Sequence, residues 1–218
     1  MGTPEPAARK RKTQERAELT RSKLIDVALQ EFSERGFDAV TVREIEVKAG
    51  VQRNLVSYHF GSKDELWKAA AAQVIGHLRT FTADRQELVR DLPARERVAY
   101  TIRSYVRFAA QHPELQRLMS QEGKQQSWRM HWLVDTFIRP GMDGLRALLG
   151  EELDLGDAEF MHWYYLFVSG GASAFAMAPE ARLLFDVDVT DEAFVTRHGD
   201  MMVRLLLGSR ENDAGESP

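Results

Sequence analysis

At 218 residues, with 44% apolar and 28% charged side chains, the chain can close one large domain or a small domain beside a larger one. It has no cysteine, which excludes disulfides, thiolate nucleophiles and Cys-based zinc sites and suits a reducing compartment, so a cytoplasmic location is expected. A net charge of −4 argues against a polyanionic partner for the chain as a whole, but residues 1–68 hold 13 Lys+Arg against 11 Asp+Glu and the remainder 16 against 22. A basic head on an acidic body can still bind phosphates locally, because the face presented matters more than the chain average.

Residues 1–18 are polar, contain Pro4 and Pro6, carry the basic run 9–12 and show no apolar period. They predict a disordered basic tail. Polar residues follow that run where a secretory signal would have an apolar stretch, so no signal is expected. From Thr20 a helical pattern begins, with Leu24, Ala28 and Phe32 four residues apart and Gly36 as its stop. Thr41 and Glu44 have capping-box spacing and open a short helix whose Val42, Ile45 and Ala49 share a face. Gly50 supplies the left-handed turn. A second short helix is predicted over 53–59, with Val51, Val56 and Phe60 inward, and Ser62 with Glu65 opens a longer one over 63–80.

Further helices are predicted over 95–111, 113–122, 127–149, 157–178 and 191–207, and no strand-like alternation is found. Residues 160–179 carry no Lys, Arg, Asp or Glu, about the length of a bilayer span, but the stretch contains His162, Ser169, Gly170, Gly171 and Ser173 and has acidic flanks. A helix buried on most of its faces is expected there, not a membrane segment.

The informative block is 41–66, TVREIEVKAGVQRNLVSYHFGSKDEL. Two short helices joined by Ala-Gly-Val cannot bury a core alone and need the flanking longer helices. That is the helix-turn-helix plan, in which the second short helix enters the major groove. Its outward residues are expected to be Arg53, Asn54, Leu55, Ser57 and Tyr58, able to meet base edges by hydrogen bonds and apolar contact. His59 and Lys63 follow toward the phosphates, beside the N-terminus of the next helix. On charge and periodicity alone, a surface helical hairpin with solvated charges competes with this reading.

The block Ala28, Phe32, Gly36-Phe37, Thr41, Ile45, Ala49-Gly50-Val51, His59-Phe60, Lys63 and Leu66 resembles the TetR-family DNA-binding domain over residues 20–70. The resemblance implies a dimeric DNA-binding regulator, a repressor by family habit, released from a palindromic operator by a small-molecule effector. It implies Thr41 and Lys63 as phosphate contacts and 53–59 as the recognition helix. With Arg43 and Gln52, these complete the expected DNA-binding set. Gln52, Asn54 and Ser57 stand where the family often has Ser, Gly and Tyr. As an N-cap, Gln is weaker than Ser by about 0.5–1 kcal/mol.

The expected fold is all-α: a three-helix helix-turn-helix domain over 19–66, a helical effector-binding and dimerisation domain over 67–209, and a tail over 210–218. Homodimerisation is expected through the last two predicted helices, where Gly170, Ala174 and Ala178 form a four-residue row and Met201 and Leu205 add apolar surface. An effector pocket is expected from Tyr100, Arg103, Tyr105, Phe108, Met119, Trp128, Trp132, Trp163 and Tyr164, against the alternative that these are core. The chain has no Gly-rich phosphate loop, no H-E-x-x-H and no nucleophile motif, and its six histidines lack metal-ligand spacing. Neither an enzyme nor a cofactor is expected. The rival readings are a helical enzyme and a helical adaptor that binds only protein.

Overall fold

The computed structural model describes residues 6–150 and 152–208, with the side chains of 6–10 and 84–88 outside the description. Twelve α-helices follow one another among these residues, with no strand. They are α1 (Pro6–Arg35), α2 (Val42–Lys48), α3 (Leu55–Phe60), α4 (Lys63–Val89), α5 (Ala94–Gln111) and α6 (Pro113–Glu122). Then come α7 (Trp128–Leu133), α8 (Arg139–Leu149), α9 (Asp157–Gly170), α10 (Ser173–Ala176), α11 (Ala178–Phe185) and α12 (Glu192–Leu207).

The local signals place most boundaries. Ser62 Oγ accepts the Glu65 N–H at 3.1 Å and Ser127 Oγ that of Met130 at 3.2 Å, opening α4 and α7. Pro113 starts α6 at a position where its missing N–H costs nothing. Between α7 and α8 the helix continues through one π turn, Val134–Ile138, with the Arg139 N–H reaching the Val134 carbonyl. Pro140 explains it: its ring would crowd the preceding turn of an α-helix, and a wider turn absorbs the mismatch.

Three sequence expectations are corrected. The expected tail is helical from Pro6 onward, because residues 7–18 are mostly Ala, Arg, Lys, Gln and Glu, which hold a helix by propensity without an apolar stripe. An Arg11–Glu15 pair at 3.0 Å adds to it. The predicted helix over 157–178 breaks after Gly170. A Cβ at Gly171 would lie 3.0 Å from the Tyr105 ring and 2.9 Å from the Phe167 carbonyl oxygen, so α5 packs against bare backbone there. Ser173 Oγ then donates to the Ser169 carbonyl at 2.7 Å and α10 begins. Lastly, α11 stands between the helices predicted over 157–178 and 191–207, where the sequence reading places no helix. No described helix is long and apolar enough to cross a membrane.

Two hydrophobic clusters hold the helices. The first joins α1–α4 to the body: Leu24, Phe32, Ile45, Val56 and Trp67 pack with Phe108, Leu118 and Leu133. The second lies between α5, α9 and α12, around Ile102, Tyr105, Phe167 and Met202. The first cluster runs straight through the expected boundary at 66/67, where Leu66 and Trp67 are both fully buried.

Candidate nucleic-acid interface

The capping box forms as its spacing predicts. Thr41 Oγ1 accepts the Glu44 N–H at 3.2 Å, and Glu44 Oε2 accepts the Thr41 N–H and hydroxyl, each at 2.7 Å. Arg35 ties this box to α1, donating to Glu44 at 2.9 Å and to the buried Glu31 at 3.0 Å, and Lys48 at the end of α2 also donates to Glu31. The Thr41 hydroxyl, the Thr41 N–H and Arg35 together hold the Glu44 carboxyl at about 2, against an ordinary 4.5. Lys48, then Arg35, lower Glu31 against its burial. A carboxyl depressed in the folded state contributes stability that is full above its ordinary pKa and is lost as pH falls toward the folded value. Glu44→Gln is therefore expected to melt below wild type near neutrality, and the gap should close as pH falls from 4.5 toward about 2. Equal gaps at about pH 7 and about pH 3 would refute the box as an electrostatic element.

The turn after α2 uses Gly50 at φ +65°, and the Val51 N–H returns to the Glu46 carbonyl at 3.0 Å. A second left-handed residue follows, Asn54 at φ 70°, and α3 starts only at Leu55. The N-cap is thus Asn54, not Gln52, and the helix is shorter than the expected 53–59 at its start. Asn tolerates this conformation better than any residue but Gly, which accounts for its presence where the family often has Gly.

Most of the expected reading set is at the surface. Gln52, Arg53, Asn54, Ser57 and Tyr58 are exposed, Tyr58 at 78%, while Val56 is buried on the opposite side. Thr41 and Arg43 are also exposed. Leu55 is corrected: it is half-buried and packs on the first cluster. His59 is half-buried, edge-on to Tyr58 with ring centroids 4.9 Å apart. Lys63 is half-buried with its ammonium 4.1 Å from the Phe37 ring centroid. Burial is the main cause lowering its pKa, with Arg129 adding to the effect and Asp38 opposing it. Three features escaped the sequence reading. Val47 on α2 is 61% exposed. Arg21 of α1 lies over Phe60, 5.1 Å from the ring centroid. Glu46 is buried.

The nine residues expected to form an effector pocket do not converge. Phe108, Met119 and Trp132 belong to the first cluster, and Trp128 meets Trp67 with centroids 5.6 Å apart. Tyr105 and Trp163 belong to the second, their polar ends donating to the carbonyls of Val168 at 3.0 Å and Leu206 at 3.1 Å. Arg103 is exposed and pairs with Asp200 at 2.7 Å, and Tyr100 and Tyr164 are half-buried. Tertiary packing uses Tyr105, Phe108 and Trp163 as core, with Met119 and Trp132 packed against it. A separate groove of about 410 Å³ lies between α1, α4 and α6, lined by Asp26, Ser33, Gln73, His77, His112 and Arg117.

The expected small-residue row does not exist either, because the helix breaks. Gly170 faces Met202 of its own chain, whose Cε would lie 2.9 Å from an added Cβ, while Ala174 lies in α10 and Ala178 opens α11. Met201 and Leu205 do lie open on α12, and α9 adds Met161, Tyr165 and Leu166 at helical spacing, all exposed.

Two short helices at a tight turn, braced by a long helix on each side and presenting polar and aromatic side chains outward, define a helix-turn-helix unit. Residues 24–70 match the family described as bacterial regulatory proteins, tetR family. It is 32% identical over 76 residues to the HTH-type transcriptional regulator BetI of Burkholderia mallei, covering 35% of this chain and 39% of that one. It is 30% identical over 90 residues to the HTH-type transcriptional regulator AcrR of Shigella flexneri, covering 38% and 42%. The chain thus spans about two fifths of the length of these curated relatives. The fold as a whole is similar to a tetR-family regulatory protein from Rhodococcus RHA1, with a TM-score of 0.67 at 16% identity, covering 88% of this chain and 98% of that one. It is also similar to a TetR-family transcriptional regulator from Streptomyces coelicolor, with a TM-score of 0.62 at 21% identity, covering 88% and 97%.

Proposed function

We propose that this chain is a dimeric, sequence-specific DNA-binding transcriptional repressor of the cytoplasm, released from a palindromic operator by a small-molecule effector. The observation that carries the reading is α3 itself. Val56 anchors it from behind while Ser57 and Tyr58 on it and Arg53 just before it are exposed in front, Arg53 able to bind guanine bidentately and Tyr58 to pack on a thymine methyl. Arg43 and Thr41 on the α2 side and Lys63 at the start of α4 flank it as phosphate contacts, Lys63 by leaving the Phe37 ring. The apolar face of α9 and α12 joins two protomers, which sets two reading helices about 34 Å apart on one face of the duplex. An effector wedged into the groove between α1, α4 and α6 separates head from body and changes that spacing, provided it binds one geometry better than the other.

Selection of bound sequences from a random duplex pool tests this. A palindrome should be enriched. Arg53→Ala should then lose preference at one base position, costing about 1–3 kcal/mol. Lys63→Ala should weaken all duplexes alike and flatten the salt dependence. A protein-binding adaptor would enrich nothing and show no salt-dependent affinity for DNA.

A further inference from the structure

We infer that Glu46 is the positioning residue of the reading helix: its carboxylate supplies, from α2, the N-terminal cap that α3 lacks, and so sets how α3 presents its outward side chains. The inference rests on α3 being the DNA reader.

The first N–H groups of any helix have no partner within it, and a side chain at the N-cap usually accepts one of them. Here the N-cap is Asn54, held in the left-handed region, and its side chain makes no capping bond. The first bond within the turn is the Tyr58 N–H to the Asn54 carbonyl at 3.0 Å, which leaves Val56 ahead of the ladder. The Val56 N–H instead donates to Glu46 Oε1 at 3.1 Å, a buried bond between two residues that are 2% and 1% exposed. The backbone of Glu46 holds the other end of the same connection, its carbonyl accepting the Val51 N–H at 3.0 Å. One residue therefore clasps both ends of the segment joining α2 to α3. That segment contains two residues in the left-handed region, Gly50 and Asn54, and it carries Gln52 and Arg53 on its exposed side. A buried polar group without a partner is costly, so the Val56 N–H locks α3 in the one orientation that satisfies it. Arg53 precedes α3, and Ser57 and Tyr58 lie on it. A roll of α3 would move all three off their base edges while leaving the charges around them in place.

The test compares Glu46→Gln, which keeps an oxygen acceptor, with Glu46→Met, which keeps the length but has no comparable acceptor. Each is measured for affinity to the duplex selected by wild type and to a random duplex, and for exchange of the Val56 amide in the free protein. Expected is a ratio of selected to random affinity within about threefold of wild type for Gln, and a fall of about tenfold or more for Met with random-duplex affinity retained. Val56 should exchange slowly in wild type and Gln and fast in Met. If Met keeps both ratio and protection, or if Gln and Met lose the ratio alike, the role is overturned. Should Met fail to fold, the Gln variant decides: wild-type protection and ratio support the clasp, and their loss removes it. A wild-type chain that enriches no sequence would overturn the DNA reading, and this role with it. Enrichment by wild type and Met alike would overturn only the role of Glu46.

Discussion

Arg129→Ala is expected to destabilise the chain by about 3–5 kcal/mol, lowering the melting temperature by roughly 6–20 °C. Arg129 sits on α7 at 8% exposure, and its Nε donates to both oxygens of Glu122 on α6, at 3.0 and 2.8 Å. Its guanidinium carbon lies 4.2 Å from the centroid of Phe37, in the loop between α1 and α2. Burying such a pair gains little over an apolar pair, because each ion gives up its water. Breaking it is another matter, since Glu122 at 3% exposure would keep its charge with only the Ser127 hydroxyl, 3.4 Å away. The two partners are not equivalent. After Glu122→Ala, Arg129 still has Phe37 and Asp38, the latter at 4.0 Å, so this loss should be smaller. The double variant Arg129→Met with Glu122→Leu should recover most of the stability. Thermal melts of the three variants check the order. A single Arg129→Ala that melts within about 2 °C of wild type would show that the pair does not hold α7 against the head.

What could be read from the sequence is what short-range hydrogen bonding determines. Thr41 with Glu44, Ser62 with Glu65 and the Gly50 turn each need only a few neighbouring residues to specify a helix end, and all three form. The inward side of α3 follows from the same local period. The N-terminal half of α1 was missed because its helix comes from propensity and not from an apolar stripe. The break at Gly170–Gly171 was missed because its cause is Tyr105, sixty-odd residues earlier in the chain. Aromatic residues could be recognised as valuable, but which cluster each joins depends on how α5, α7 and α9 pack, so Trp128 and Trp163 lie in different places. Glu46 is the sharpest case. A glutamate on a short polar helix reads as solvated, and only the placement of α3 over it turns it into a buried acceptor.

Leu205→Glu is expected to leave the protomer folded and to abolish both the proposed dimer and the high-affinity operator binding proposed for it. Leu205 is 70% exposed in the protomer, and with Met201 on α12 and Tyr165 and Leu166 on α9 it makes an apolar face that no part of the described chain covers. A twofold interface is self-complementary, so one substitution places two carboxylates in it, each stripped of water without a cationic partner. The penalty of several kcal/mol per ion exceeds the apolar gain of about 1.5–3 kcal/mol that each buried leucine contributes. Each monomer would then bind a half-site alone. Random-duplex affinity per head should hardly change, while affinity for the full palindrome should fall by more than about a hundredfold as the linked second contact is lost. Sedimentation separates the cases. A Leu205→Glu chain that still sediments as a dimer would move the interface away from the α9–α12 face. A monomer that still binds the full palindrome as tightly as wild type would show that each head reads DNA independently of its partner.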